Sequence, residues 1–231
     1  MEINTDKCVG CGRCTAYCPT QALTVVDKKC TCDKALCTEC ENCIRSKACL
    51  LGCLSPSELE WPREFRALMS NPKKSFKGVQ GRGTEEMKTN DVTDRYKEGY
   101  IGMALEFGRP SVGAHVRDIQ YVARLLAQHG AEFEKMNPIN SIIDPKTGDM
   151  PADVLDEFII SGILEIMFPI EKTEEIIGVI QEAAKHIDTV FSLDMVSRVT
   201  ADDKIPATEI LDRMGVFYRP NCKTNVGLGR K

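Results

Sequence analysis

Cysteines are concentrated in one short stretch of this chain. Eleven of the twelve cysteines fall between positions 8 and 53 of the 231 residues. The stretch opens with a C-x2-C-x2-C-x3-C-P run, formed by Cys8, Cys11, Cys14, Cys18 and Pro19. Three thiolates two residues apart on one tight loop can hold a multi-metal group, whereas a fourth, three residues on, points away from it. Thiolate ligation is therefore the strongest constraint that the sequence sets on the fold.

A second set of cysteines follows in altered form. It begins with Cys37 and Cys40, continues through an eight-residue insert, and ends with Cys49 and Cys53. Together the two sets resemble the bacterial-type ferredoxins with two [4Fe–4S] clusters, in the subgroup whose second motif reads C-x2-C, a long insert and C-x3-C. The resemblance covers residues 1–60. It implies a dicluster head that takes part in electron transport.

The resemblance also implies which cysteines bind each cluster. One cluster takes Cys8, Cys11, Cys14 and Cys53, and the other takes Cys37, Cys40, Cys49 and Cys18. Two features depart from the pattern, since Cys53 is followed by Leu54 rather than by proline, and Cys43 is a rival third ligand at the ordinary C-x2-C-x2-C spacing. We prefer Cys49 on sequence, because three residues separate it from the last cysteine of its set, Cys53, as three residues separate Cys14 from Cys18.

Two other uses of clustered cysteines were weighed against iron–sulfur ligation. A disulfide framework is typical of small secreted chains, whereas no signal-peptide pattern opens this one and its length allows a core without cross-links. A zinc site favours paired C-x2-C knuckles and rarely has a third cysteine at the same step followed by C-P. Iron–sulfur clusters remain the favoured interpretation.

Four cysteines have no role in the two-cluster pattern. They are Cys30, Cys32, Cys43 and Cys222. One interpretation is an additional metal-binding or redox-active set, with Cys222 of the C-terminal tail facing the three in the head. The other, which we favour, is that a free cysteine is simply a small apolar residue.

Composition narrows the cellular setting and the partners. The net charge is −4, although residues 61–99 are net positive, and no aromatic-basic stripe suggests nucleic-acid binding. No apolar run approaches the length of a membrane span. Dense thiolates favour a reducing cytoplasm, and exposed low-potential clusters suggest an anaerobe. The expected partners are a redox protein, a small anionic ligand, and a second copy of the chain through the C-terminal sheet.

Short strands are expected at 1–4 and 22–26, pairing with one another across the first cysteine loop. A short helix is expected at 61–69. Hydrophobic periodicity then predicts strands at 100–107, 131–136, 158–168 and 190–199, and helices at 112–129, 171–187 and 207–214, with a strand extension at 141–143. The order is βαββαβ, the split βαβ arrangement also found in ACT-type ligand-sensing domains. The predicted class is α+β, with a dicluster ferredoxin domain followed by a four-stranded antiparallel sheet that has both helices on one face.

The predicted domain organisation has four parts. Residues 1–58 form the ferredoxin domain, 59–99 a connector arm, 100–200 the ferredoxin-like (ACT-like) sandwich, and 201–231 a C-terminal helix with a glycine-rich tail. Gly10, Gly12 and Gly52 lie in the cysteine loops, where we expect positive φ or a close approach of backbone.

No set of catalytic residues is recognisable. The three histidines, His115, His129 and His186, fall on predicted helices and are given no role, and nucleotide-binding or nucleophile-elbow motifs are absent from the sequence. Five cations in glycine- or proline-containing loops are candidate ligands for a phosphate or carboxylate: Arg82, Lys88, Arg109, Arg219 and Lys223. Solubility and structural capping are the alternative roles for these side chains.

The sequence leaves three functions open. The preferred one is an iron–sulfur protein that passes low-potential electrons to or from an oxidoreductase docked by the C-terminal domain. The second is an iron–sulfur subunit of an oxidoreductase or reductive-activation complex. The third is a redox or metabolite sensor in which the ACT-like domain binds a small molecule.

Overall fold

The computed structural model describes residues 1–76, 78–80, 96–108 and 112–219. The first part of the chain, which we call the head, contains two small sheets and one short helix. Its elements are β1 (Glu2–Ile3), β2 (Leu23–Val26), β3 (Lys29–Cys32), α1 (Asn42–Arg45) and β4 (Leu54–Ser55).

The strands of the head pair differently from the sequence prediction. Strand β1 pairs antiparallel with β4, and β2 pairs with β3, so the expected pairing of the first two strands is wrong. The reason lies in the two-residue turn after β2, where Asp27 and Lys28 have φ of 50° and 58°. Two successive left-handed residues form the tight turn that matches strand twist, which brings β3 directly beside β2.

A connecting segment links the head to the rest of the protein. It contains α2 (Arg63–Ser70) and a hairpin of β5 (Ser75–Phe76) and β6 (Val79–Gln80). The predicted helix is confirmed. Phe65 and Met69, four residues apart on one side of α2, are buried in the main hydrophobic core.

The remaining part, which we call the body, is built around a larger sheet. Its elements are β7 (Tyr100–Phe107), β8 (Ala114–His115), α3 (Val116–Gln128), β9 (Glu132–Phe133), β10 (Phe158–Ile159), β11 (Gly162–Pro169), α4 (Thr173–Ala183), β12 (Phe191–Ser197) and α5 (Pro206–Met214). Four of these strands form one antiparallel sheet in the order β12-β7-β11-β9. In its register Leu105 lies opposite Leu164 on one side and Leu193 on the other.

Both faces of this sheet are covered. Alternate residues of β7, among them Met103 and Leu105, join the core that also contains the buried sides of α3 and α4. On the opposite face Ala104 packs with Tyr96, Ile163 and Val196. A Cβ at position 102 would come within 2.4 Å of the Tyr96 ring, so only glycine fits there.

Several predicted elements of the body have different limits. The helix expected from position 112 begins at Val116, because Gly113 is left-handed (φ 77°) and the next two residues pair with β10. The long strand expected at 158–168 is two strands of different sheets, and between them the N–H of Ile160 bonds to Ser70 Oγ at 3.1 Å. The predicted extension at 141–143 is wrong, since 140–142 is a 3-10 turn.

The other elements shorten rather than change type. Strand β9 covers two of the six residues expected, and α4 ends at Ala183 instead of continuing to position 187. The C-terminal helix is confirmed, with Pro206 in its first turn. Among the helices of the described segments, none is both long and apolar enough to cross a membrane.

Candidate metal centre

Backbone turns bring the head cysteines inward. The hydrophobic core of the head consists largely of sulfur-bearing side chains. Its buried members are Met1, Cys8, Cys14, Ala22, Leu23, Cys30, Cys37, Cys43 and Cys53. Cys18, Cys32 and Cys49 pack against this core and are half-buried, whereas Cys11 is exposed. No cysteine in the described part of the chain forms a disulfide.

One group of thiols surrounds Cys8. The thiols of Cys14 and Cys30 are 3.5 Å apart, and the N–H of Cys30 donates to Cys8 Sγ at 3.3 Å. Cys49 Sγ accepts a hydrogen bond from the N–H of Cys53 at 3.2 Å. Cys49 also lies close enough for its charge to affect the pKa of Cys8. This side of the head therefore brings together Cys8, Cys14, Cys30, Cys49 and Cys53, one more than the four ligands of a cluster.

A second group of thiols lines a small cavity. Its cysteines are Cys18, Cys32, Cys37, Cys40 and Cys43. Cys18 Sγ accepts a hydrogen bond from the N–H of Ala22 at 3.2 Å. Cys43, the rival third ligand on sequence, thus shares this cavity with Cys37 and Cys40.

Hydrogen bonds favour the thiolate form at three positions. Backbone N–H groups of Cys30 and Gly10 lower the pKa of Cys8, and the N–H of Cys53 is the main cause of a lowered pKa at Cys49. The thiol of Cys32 donates to Cys37 and lowers its pKa to about 6. A thiolate is the form of cysteine that binds metal, so these positions are prepared for ligation.

Burial has the opposite effect on other cysteines. It is the main cause that raises the pKa of Cys30 and Cys43 to about 12, and of Cys53 to about 11. Burial also raises the pKa of Cys40. A bound cation reverses this preference locally, because a coordinating thiol is deprotonated outright.

Three arginines surround the loop that carries Cys37 and Cys40. Arg45 donates to the carbonyl of Cys40 at 2.5 Å, Arg63 donates to that of Cys37 at 3.3 Å, and Arg66 donates to that of Cys37 at 3.1 Å. Sequence reasoning missed these residues, since no motif marks them and their targets are main-chain carbonyls distant in sequence. They place guanidinium groups beside the second group of thiols, where Glu39 and Glu157 offset the charges of Arg63 and Arg66.

The glycines of the cysteine loops agree with the sequence analysis. Gly10, Gly12 and Gly52 have φ of 66°, 73° and 60°, which confirms the expected positive φ. At Gly10 the backbone is also tightly packed, because a Cβ there would lie 2.3 Å from the carbonyl carbon of Lys28. The loop after Cys8 therefore requires glycine for its shape.

The donor set fits iron–sulfur clusters. In the described residues no three cysteine, histidine, aspartate or glutamate side chains converge as ligands of a single ion. The cysteines instead form two groups, and thiolates in each accept backbone N–H bonds, which is the environment that iron–sulfur clusters use to tune their potential.

Most of the predicted anion-binding residues lie outside the described part of the chain. These are Arg82, Lys88, Arg109 and Lys223, and the same holds for Cys222. Arg219 is described and exposed. Of the histidines, His115 precedes α3 and His129 follows it, while His186 lies just after α4, so none of them lies within a helix.

Comparison with known proteins supports the same chemistry. Residues 1–24 match the family model described as a 4Fe-4S binding domain. No curated protein and no solved structure matches the chain. The N-terminal segment is thus an iron–sulfur, ferredoxin-like segment, and it indicates an iron–sulfur electron-transfer protein.

Proposed function

We propose that this protein carries two [4Fe–4S] clusters in its head and exchanges low-potential electrons with an oxidoreductase that docks on it. The single observation that carries the proposal is the division of the head thiols into two groups, each with backbone N–H groups bonded to sulfur. One [4Fe–4S] cluster takes four cysteine ligands, whereas this head has eleven cysteines. When bound, such clusters supply one-electron transfer.

Six ligands keep the same cluster whether Cys43 or Cys49 is the third cysteine of the second motif. They are Cys8, Cys11 and Cys14 for one cluster, and Cys18, Cys37 and Cys40 for the other. The remaining two come from Cys43, Cys49 and Cys53. The sequence-based choice of Cys49 and Cys53 stays a prediction.

The residues around the two sites give them unequal surroundings. Cys11 is exposed, and Val9 and Leu50, which follow Cys8 and Cys49 in the sequence, expose 65 % and 77 % of their surface. The second site is instead enclosed by α2 and by the guanidinium groups of Arg63 and Arg66. Burial disfavours added negative charge at the second site, whereas solvent access at Cys11 leaves the first site open to a partner. We therefore propose that the partner approaches the edge at Cys11, where the chain leaves apolar surface uncovered.

For the body we propose a ferredoxin-like sandwich over residues 100–200 that positions the partner. The sheet order β12-β7-β11-β9, with α3 and α4 packed against one face, supports this. The domain limits at 58, 99 and 200, the small anionic ligand and the second copy of the chain stay predictions. Fold likeness by itself names no substrate or ligand.

Anaerobic purification followed by iron and sulfide analysis tests the central proposal. We expect about eight irons and eight sulfides per chain, from two clusters of four each. The reduced protein should give an electron paramagnetic resonance spectrum broadened by interaction between two neighbouring spins. A colourless protein, or one that holds only zinc, would remove the proposal.

Two further measurements separate the alternative functions. If the purified protein transforms a substrate beyond electron transfer, it is an oxidoreductase component rather than a carrier. If a panel of small anions shifts the reduction potential or the oligomeric state, the sensor function gains support. Neither change is expected for a carrier.

A further inference from the structure

The head contains an internal repeat that the cysteine spacing alone does not reveal. The N–H of Cys8 bonds to the carbonyl of Asn4 at 3.2 Å, and the N–H of Cys37 bonds to that of Asp33 at 3.0 Å. Cys8 lies five residues after the end of β1, and Cys37 lies five residues after the end of β3. Residues 4 and 8 therefore correspond to residues 33 and 37, a shift of 29 positions.

The same shift holds through the third cysteine of each loop. Gly10 and Glu39 are both left-handed, with φ of 66° and 56°, and so are Gly12 and Glu41, with φ of 73° and 57°. The N–H of Thr15 bonds to the carbonyl of Gly12 at 3.1 Å, and the N–H of Ile44 bonds to that of Glu41 at 3.0 Å. Because position 43 lies 29 residues after position 14, Cys43 occupies the place of Cys14.

The fourth cysteine of each loop is identified by a second set of matching contacts. Cys18 Sγ accepts the N–H of the residue four positions on, Ala22, at 3.2 Å, and Cys49 Sγ accepts the N–H of Cys53 at the same distance. Gln21 and Gly52, three positions after each cysteine, have φ of 55° and 60°.

Strand positions give the same correspondence. Strand β2 begins five residues after Cys18, and β4 begins five residues after Cys49. The shift here is 31 positions, so two residues are inserted between Cys43 and Cys49. Cys49 thus corresponds to Cys18, and Cys53 corresponds to Ala22.

Hydrogen bonds between the two halves support the same correspondence. The N–H of Asp33 bonds to the carbonyl of Ala22 at 2.8 Å, and the N–H of Asn4 bonds to that of Cys53 at 2.8 Å. Equivalent backbone hydrogen bonds therefore join the two halves in both directions. Cys18 of the first half lines a cavity with Cys37, Cys40 and Cys43 of the second half. The correspondence between the halves then places Cys49 with Cys8, Cys11 and Cys14.

We propose, on the basis of the proposed two-cluster function, that the second motif is C-x2-C-x2-C-x5-C and that Cys53 is not a ligand. One cluster then takes Cys8, Cys11, Cys14 and Cys49, and the other takes Cys37, Cys40, Cys43 and Cys18. Relative to the resemblance-based assignment, Cys49 replaces Cys53 in the first cluster and Cys43 replaces Cys49 in the second. The cavity agrees with it, because Cys18, Cys37, Cys40 and Cys43 line that space, together with Cys32, and Cys49 does not.

The repeat also accounts for two of the remaining cysteines. Cys53 is 3 % exposed at the place where the other half has Ala22, which is 1 % exposed. Cys30 is 3 % exposed at the place of Met1, which is 2 % exposed. Both cysteines occupy apolar positions of the repeat, so they act as packing residues beside the first cluster.

Two double variants of equal severity test the pairing. Each removes two ligand cysteines from the full-length protein: Cys18→Ala with Cys49→Ala, and Cys14→Ala with Cys49→Ala. In the proposed pairing Cys18 and Cys49 serve different clusters, so the first variant loses nearly all iron, whereas the second keeps about four irons. The resemblance-based pairing reverses these results. General instability would affect both variants alike.

Single variants complete the test, with iron, sulfide and electron paramagnetic resonance as readouts. Cys53→Ala, which copies the residue at the corresponding position, should keep about eight irons and the broadened spectrum, whereas Cys43→Ala should keep about four irons and lose the broadening. Half the iron lost in Cys53→Ala, or none lost in Cys43→Ala, would overturn the proposal. If instead the wild-type protein binds no iron, the proposed function fails before the pairing is reached.

Discussion

Arg66 offers the sharpest test of how the head is held to the body. This side chain of α2 forms a buried ion pair with Glu157, and the two side chains are 8 % and 10 % exposed. Its other nitrogen atoms reach toward the head, where Nη1 donates to the carbonyls of Ala35 at 2.9 Å and Cys37 at 3.1 Å. One guanidinium group therefore joins the helix, the body and the cysteine loop.

Replacement of Arg66 by methionine keeps much of the side-chain volume and removes the charge and every donor. Glu157 is left as a buried carboxylate without its partner, and loss of one partner of a buried pair costs about 3–5 kcal/mol. Each carbonyl left without a donor adds about 1–3 kcal/mol where water cannot reach it. We expect the free energy of unfolding to fall by at least about 3 kcal/mol.

Anaerobic urea denaturation followed by circular dichroism measures this loss. Arg117→Met is the matched control, because Arg117 pairs with Asp156 at 2.6 Å but the side chains are 53 % and 89 % exposed. An exposed pair contributes about 0–1 kcal/mol. The double variant Arg66→Met, Glu157→Leu should recover part of the loss, since it leaves no unpaired charge. The reasoning is refuted if Arg66→Met costs no more than Arg117→Met.

Three further outcomes are expected. Gly10→Ala should lower the iron content, because the new Cβ would lie 2.3 Å from the Lys28 backbone. Gly12→Ala is the control, since Gly12 also has a positive φ but the atom nearest to its Cβ would be 3.9 Å away. Equal iron loss in both variants would contradict this. Iron chelation should abolish hydrogen-exchange protection in residues 1–58 and leave β7 and β11 protected, since the head core is mostly thiols and metal binding supplies its folding energy. Asp149→Asn should lower the melting temperature at pH 7 and progressively less as the pH falls below about 4, because hydrogen bonds from Thr147 and Arg124 lower the pKa of Asp149 and its contribution is lost as the pH falls through that lowered pKa. A loss that does not shrink between about pH 4 and about pH 2 would mean that ionisation is not the cause.

Local sequence patterns predicted the regular elements of the body well. Helices α2 and α5 and the central strand β7 lie within a residue or two of the expected limits, because their apolar periodicity and capping residues are local signals. The errors occur where a distant segment decides the backbone. Ile160 bonds to Ser70 of α2 and so divides one apolar run into two strands, and the pairing of Ala114 with Ile159 delays the start of α3.

The same division holds for the metal centre. Iron–sulfur binding by the N-terminal segment was predictable from the cysteine pattern alone, because thiolate spacing on a tight loop is a local property. The proposed choice of Cys49 over Cys53 depends on the tertiary structure, because the two-residue insertion after Cys43 changes the spacing while the hydrogen bonds of the repeat keep their positions. The arginines around Cys37 likewise depended on the fold, since their partners are carbonyls that α2 reaches only once the chain is packed.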